Sequence, residues 1–375
     1  MNQKTRSLLL LAGLLLLLGA VLGFWRLLPV KIAAAPSVSE IPRVEATSTS
    51  FVLTTSTALV IDSATTTSVT SASSTDLRLL MVGDIMLDRN VAARTKKSGQ
   101  TDYPFRKLPS DWLSASDLTI ANLEGPVTPT RRPPEKSIDF QFDPAWLPVL
   151  KAQGFDVFSQ ANNHALDQGS IGYTDSVSRL RAAGFTVFGH QVQDGLISLA
   201  TTTVKGERLA FLGWNTTDNP IDLEEAAKAI SAAKAESDVV ITFLHWGLEY
   251  KDHPTPDNVT LAHWLIDHGV DVVVGGHPHW AQGFSTYKGK PIVWSLGNFV
   301  FDQDFSKETQ QGLAISLRIT EKDIRIQPLP LSIIQSQPAL EGGAFLSARL
   351  SAFVKISDDD LREAIQSGKE LVFPR

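Results

Sequence analysis

The chain predicts an α/β layered domain carried behind a single membrane-spanning helix. Three observations carry this: a leucine-rich uncharged run at the N-terminus, a long Ser/Thr-rich stretch after it, and then apolar strand-like runs alternating with amphipathic helical ones. Of the 375 residues 43% are hydrophobic and 20% charged, enough to bury a sizeable core. The formal net charge is −6 and the basic residues are dispersed, which gives no clustered Lys/Arg surface for nucleic acid. The chain has no cysteine, which removes disulfides, thiolate metal ligands, a cysteine nucleophile and a lipid-modified cysteine.

Ser7 to Trp25 carries no charge. As a helix it spans about 28 Å, close to the roughly 30 Å apolar thickness of a bilayer. Lys4 and Arg6 precede it, so the positive-inside rule places the globular part outside the cell membrane of a single-pass protein. The Ala33-Ala34-Ala35 stretch lies well beyond the apolar run and precedes Pro36, which favours an uncleaved signal anchor over residues 1–35. From 36 to 76 the chain reads as a disordered tether, since more than half of residues 44–75 are Ser or Thr. Its r.m.s. reach is on the order of 35 Å.

The main domain is expected over 77–330. Runs at 77–82, 118–121, 157–159, 186–188, 209–212, 239–244, 270–274 and 292–295 read as strands, and 144–153, 170–183, 223–235 and 258–268 as helices. Residues 313–319 and 324–329 read as an antiparallel hairpin that widens a second sheet. A C-terminal extension, 331–375, is expected to carry a capped peripheral helix at 358–368.

Chemistry collects where strands end. Asp84, Asn122, Glu124, Asn162-Asn163-His164, His245, His277 and His279 each directly follow a strand-like run, and in α/β sheets the loops at that edge converge on one crevice. In Gly275-Gly276-His277-Pro278-His279 the two glycines are expected to let the backbone turn so that both imidazoles face one cleft. A field of oxygen and imidazole donors without sulfur suits manganese, iron or zinc, one or two ions, and the chemistry it serves is an activated water. His190, His253, His263 and His268 have no partners at ligand spacing and read as structural or solvent-facing. Arg89 and Asn298 read as anion and substrate contacts, Asp302 as a weaker one.

The ordered segments Gly83-Asp84-Ile85-Met86, Asn122-Leu123-Glu124-Gly125, Ala161-Asn162-Asn163-His164, His245-Trp246-Gly247, Gly276-His277-Pro278-His279 and Ser295-Leu296-Gly297-Asn298-Phe299 together resemble the CapA-like poly-gamma-glutamate capsule biosynthesis family, within the calcineurin-like metallophosphatase superfamily. The resemblance covers residues 77–330. It implies a four-layer αββα sandwich of two mixed sheets flanked by helices. It further implies Asp84 as first-metal carboxylate and Glu124 or Asn122 where a bridging Asp is usual. Asn163 would be the amide ligand and His164 the partner that stabilises or protonates the leaving group. His245 and His277 would serve the second metal and His279 the first, with Arg89, Asn122 and Asn298 toward substrate. Two positions depart from the superfamily pattern: Met86 stands where a ligand His is usual, and Ala165 where an acid usually follows the Asn-His pair. The implied partner is an anionic envelope polymer such as poly-gamma-glutamate, acted on by metal-dependent hydrolysis or transfer. A non-catalytic polymer-binding scaffold and a metallophosphoesterase for envelope phosphodiesters are the other two readings.

Overall fold

The computed structural model describes residues 76–189, 199–218 and 220–375. Ser7 to Trp25, the tether up to residue 75 and His190 lie outside the described residues. Among those described, no helix is long and apolar enough to cross a membrane.

In chain order the elements are β1 (Leu77–Ile85), α1 (Arg89–Ser98), β2 (Leu118–Leu123), α2 (Trp146–Gln153), β3 (Val157–Ser159), α3 (Gly169–Ala182), β4 (Thr186–Phe188), β5 (Ala200–Val204) and β6 (Glu207–Asn215). There follow α4 (Leu223–Glu236), β7 (Val239–His245), α5 (Pro256–Asp267), β8 (Val272–Gly276), β9 (Phe284–Tyr287), β10 (Lys290–Val293) and β11 (Asn298–Val300). The chain ends with β12 (Gln311–Ile319), β13 (Asp323–Ile334), β14 (Gln337–Leu340), α6 (Gly343–Lys355), α7 (Arg362–Gln366) and β15 (Leu371–Pro374).

Two mixed sheets form. The first runs β14-β13-β12-β1-β2-β3-β4, with β11 beside the end of β1 and β15 against β13. Its β1 to β4 half is parallel and its β12 to β15 half antiparallel. The second runs β5-β6-β7-β8-β10-β9, parallel in the middle and antiparallel at both edges. Strand side chains alternate between faces, so each sheet feeds two cores. Leu79 and Met81 of β1 meet Phe211, Ile241 and Val274 of the other sheet. Leu80 and Val82 point the other way, to Val91 of α1, Leu150 of α2 and Leu180 of α3. On the far side, Leu212, Val240 and Val273 pack on Ile230 of α4 and Leu265 of α5. Helix, sheet, sheet and helix are the four layers.

Three expectations are corrected. The hairpin β12–β13 widens the first sheet: β12 pairs antiparallel with β1 from Leu77↔Ile319 to Met81↔Ile315, on the edge away from β2. A domain end at residue 330 falls inside β13, and the segment beyond it supplies β14 and β15 while Leu350, Phe353, Leu371 and Phe373 join the core between the sheets. The helix expected at 358–368 is a 3-10 turn at Asp359–Leu361 followed by the five-residue α7, with Leu361 and Ile365 buried in that same core. Helix α1 went unread because its face is polar; only Val91 is buried, and the ends are held by Asp88, which accepts from Arg89 N–H, and by left-handed Gly99.

Candidate metal centre

The C-terminal ends of β1, β2, β7 and β8 deliver Asp84, Asn122, His245 and Gly276 to neighbouring positions, in register across β1/β2 and β7/β8. Asp84 stands on β1 itself, where the register shifts to let β11 pair alongside. Asp84, Glu124 and His245 are wholly buried and bring one donor atom each within 4.8 Å of the others, a group able to hold a cation. His279 closes the same space, with Nδ1 3.7 Å from Asp84 and Nε2 3.9 Å from Glu124. His277 and Asn163 join through His245, whose Nε2 lies 3.2 Å from His277 Nδ1 and 3.0 Å from Asn163 Oδ1. His164 stands at 4.0 Å from Glu124. All six expected ligands and His164 are therefore linked in one cluster.

Asn122 and Asn298, expected at the substrate, lie behind the cluster with no exposed surface. Asn122 Nδ2 donates to Asp84 Oδ1 (2.8 Å) and contacts His245 Nδ1 (3.3 Å), while its carbonyl accepts from Asn162. Asn298 accepts from His279 Nδ1 (2.9 Å), which leaves Nε2 of that ring directed at Glu124, and commits its own N–H groups to Gln303 and Thr309. Both amides orient side chains of the cluster. Arg89 is at the mouth, ion-paired with Asp302 and lying over Phe140.

Backbone strain concentrates here. His277 (φ 91°), His279 (φ 57°), Arg89 (φ 49°) and Tyr250 (φ 60°) adopt left-handed conformations that a side chain disfavours, each costing on the order of 1–3 kcal/mol. Tyr250 N–H is tied to Pro278 O (2.9 Å), fastening one strained loop to the other. The turn is thus made by the histidines, and the glycines before them are strand residues. They are required for closeness: a Cβ on Gly276 would lie 2.8 Å from Asp84 Oδ1, and one on Gly275 2.1 Å from Trp294 O.

Electrostatics match the donor set. Burial raises Asp84 to about 6 and lifts Glu124 well above the usual carboxylate range, the latter helped by Asp84 and Glu249. Burial lowers His277 to about 4 and His279 to about 3 and holds His245 well below its ordinary value. Neither oxygen of Glu124 has a hydrogen-bond partner although both are buried. A desolvated, unpaired carboxylate among neutral imidazoles is what a cation would satisfy, so these residues fit a divalent metal.

The two departures resolve differently. Met86 is fully buried in the core between the first sheet and its helices, and its sulfur receives the Asp88 N–H at 3.1 Å. The acid absent at Ala165 is supplied by Asp167, which the sequence reading missed. Its carboxylate accepts from His164 Nδ1 (2.6 Å) and Phe140 N–H (2.7 Å) and pairs with Lys136 (2.8 Å). The i,i+3 spacing from His164 was the available signal.

The family description "Bacterial capsule synthesis protein PGA_cap" matches residues 78–303. "Capsule biosynthesis protein CapA" of Bacillus anthracis is 30% identical over 318 residues, 78% of this chain and 76% of that protein. "PGA biosynthesis protein CapA" of Bacillus subtilis strain 168 is 31% identical over 276 residues, 69% of this chain and 72% of that protein. Among solved structures, a phosphatase from Mycoplasma pneumoniae is 11% identical and covers 71% of this chain and 91% of its own at a TM-score of 0.41.

Proposed function

The chain belongs to the CapA-like bacterial capsule synthesis family, and from that membership we propose a membrane-anchored, extracytoplasmic, metal-dependent hydrolase or transferase acting on poly-gamma-glutamate or a related anionic envelope polymer. The observation that carries the catalytic part is Glu124, whose two buried oxygens have no partner and face Asp84, His245 and His279. Asp84, Glu124, Asn163, His245, His277 and His279 would hold one or two divalent ions of manganese, iron or zinc. A divalent cation supplies Lewis-acid polarisation of an acyl or phosphoryl oxygen and acidifies water.

The chain's own residues do the rest. Asp167 fixes the His164 ring with a proton on Nδ1, so Nε2 is the nitrogen presented to the cleft, placed to exchange a proton with a leaving group. Asn298 does the same for His279. The buried position of Asp84 and Glu124 excludes water from the carboxylates and strengthens their hold on a cation. Ser7 to Trp25 and the tether after it would keep the domain at the outer membrane-water interface within the reach of a growing polymer.

The test is metal content and turnover of full-length protein in detergent, with polymer display measured in cells. Wild type is expected to carry at least one manganese or zinc per chain. His277→Ala/His279→Ala is expected to lose most of it, and display with it, while circular dichroism stays unchanged. Equal, negligible metal in both proteins ends the catalytic reading. A second reading, a non-catalytic polymer-binding scaffold, draws on Met86, which leaves the first-metal side one ligand short. It predicts display retained in the folded double variant. Turnover of an aryl phosphodiester with added manganese would instead favour an envelope phosphodiesterase.

A further inference from the structure

The centre has two chemically unlike flanks, and one of them carries a pair of anchored cations. Arg89, at the start of α1, is 34% exposed and is held by the buried carboxylate of Asp302. Its guanidinium lies 5.0 Å over the Phe140 ring and 5.9 Å from Phe301. Phe140 in turn packs on His164 with ring centres 4.0 Å apart. Lys136, on the loop before Phe140, is 45% exposed and held by the fully buried Asp167, itself bonded to His164. It also donates to Asn163 O. Two cations from separate segments therefore reach the same imidazole, one across an aromatic ring and one through a carboxylate.

We propose that Arg89 and Lys136 form a two-cation subsite that receives carboxylates of an extended polyanion beside the metal centre. The inference rests on the polymer reading above and assigns where that chain lies. Each cation is fixed by an acid too buried to be displaced, so its head group is preorganised rather than neutralised by a mobile partner. Arg89 gives one nitrogen, Nη2, to Asp302, and Lys136 engages Asp167 and Asn163 O. A guanidinium has five N–H donors and an ammonium three, so both retain donors for an incoming carboxylate. Arg89 is also kept in the left-handed region (φ 49°) by the Asp88 cap on its N–H, a cost consistent with placing its side chain over the mouth.

The other flank is unsuited to the same guest. A groove of about 720 Å³ there is lined by Ile221, Leu248 and Trp264 with Asp218 and Asp257, and no Lys or Arg is among its described lining residues. Asn215, in register with His245, donates to Asp218 Oδ2 at 3.0 Å, which sets that carboxylate beside the second sheet's end of the centre. A polyanion would be repelled along that side, so the approach is one-sided.

The experiment is calorimetric titration of manganese-loaded full-length protein in detergent with a defined γ-linked glutamate oligomer, its neutral γ-linked glutamine counterpart, and a glycerol-phosphate oligomer. Arg89→Gln and Lys136→Met are each expected to weaken the glutamate oligomer at least about tenfold, the loss of one charge-assisted contact, with manganese stoichiometry unchanged. Arg89→Lys, which keeps the charge and the fold but loses the fork, should fall between. Variants that bind the oligomer within twofold of wild type overturn the subsite while leaving the polymer reading intact. The subsite also fails if wild type binds none of the oligomers or binds glutamate and glutamine forms equally. Arg89- and Lys136-dependent binding of the glycerol-phosphate oligomer alone supports the subsite and overturns poly-gamma-glutamate as the guest.

Discussion

Gly276 shows how one missing methyl shapes the centre. It lies at the end of β8 opposite Asp84, and the backbone of His277 donates to Asp84 Oδ2 at 3.1 Å. Gly276→Ala would put a Cβ 2.8 Å from Asp84 Oδ1 and 3.1 Å from Phe243, so the carboxylate must shift and the fold is destabilised by about 1–3 kcal/mol. We expect manganese affinity to fall by at least about tenfold because a displaced ligand loses its geometry, and titration calorimetry beside a thermal melt checks both. Unchanged affinity would place the metal elsewhere. Asp167→Asn tests a different link. It replaces the charged carboxylate that fixes His164 and pairs with Lys136 by a neutral amide whose NH2 can face the ring instead, so turnover is expected to drop by on the order of 10²-fold with metal content retained. Nitrogen NMR of His164 should report the changed tautomer; loss of metal together with turnover would make Asp167 structural only. That His277 and His279 would sit together in one buried cluster was legible, since two imidazoles after an apolar strand carry their chemistry in their identity. That the same residues would bear the turn, with positive φ, was not legible, because composition there assigns turning to glycine.

At the level of elements, strand burial decided what could be read. All seven residues of β7 and all five of β8 are buried, so these parallel strands appear as unbroken apolar runs. Edge strands β5 (ATTTV) and β9 (FSTY) bury one residue each and look like loops. The C-terminal strand β15 was hidden for the same reason, being only four residues with alternate exposure. It is nonetheless part of the core: it pairs with β13 from Asp323↔Pro374 to Ile326↔Leu371, and Phe373 is 3% exposed between the sheets. Phe373→Ala is expected to cost about 3–5 kcal/mol, the range for deleting a buried aromatic ring. Denaturant unfolding of the full chain measures it, and a loss below about 1 kcal/mol would return residues 331–375 to the status of a peripheral extension.

Across the whole molecule, the two sheets bring carboxylates and imidazoles into a dry space that neither could enclose alone. The first contributes Asp84 and, after β2, Glu124; the second contributes His245, His277 and His279. Joining them strips water from both carboxylates and imidazoles, which raises Asp84 to about 6 and lowers His277 to about 4 and His279 to about 3. Well above pH 4 the His277 and His279 imidazoles are already neutral, so near neutrality the protons that a metal must displace belong to the buried carboxyls rather than to these two rings. Affinity for manganese should therefore rise as pH rises through about 6, about tenfold per pH unit for each proton displaced, and Asp84→Asn should flatten the rise. Stability of the metal-free protein carries the opposite sign for Asp84. Its folded value lies above the unfolded one of 3.8, so its contribution is complete below about pH 4 and is lost as pH rises through about 6, a difference of about 3 kcal/mol. A bound cation restores that loss, and the thermal shift produced by manganese should be larger at pH 7.5 than at pH 5. Equal shifts at the two pH values would mean that the cation bypasses the buried carboxylates on which the joint between the sheets converges.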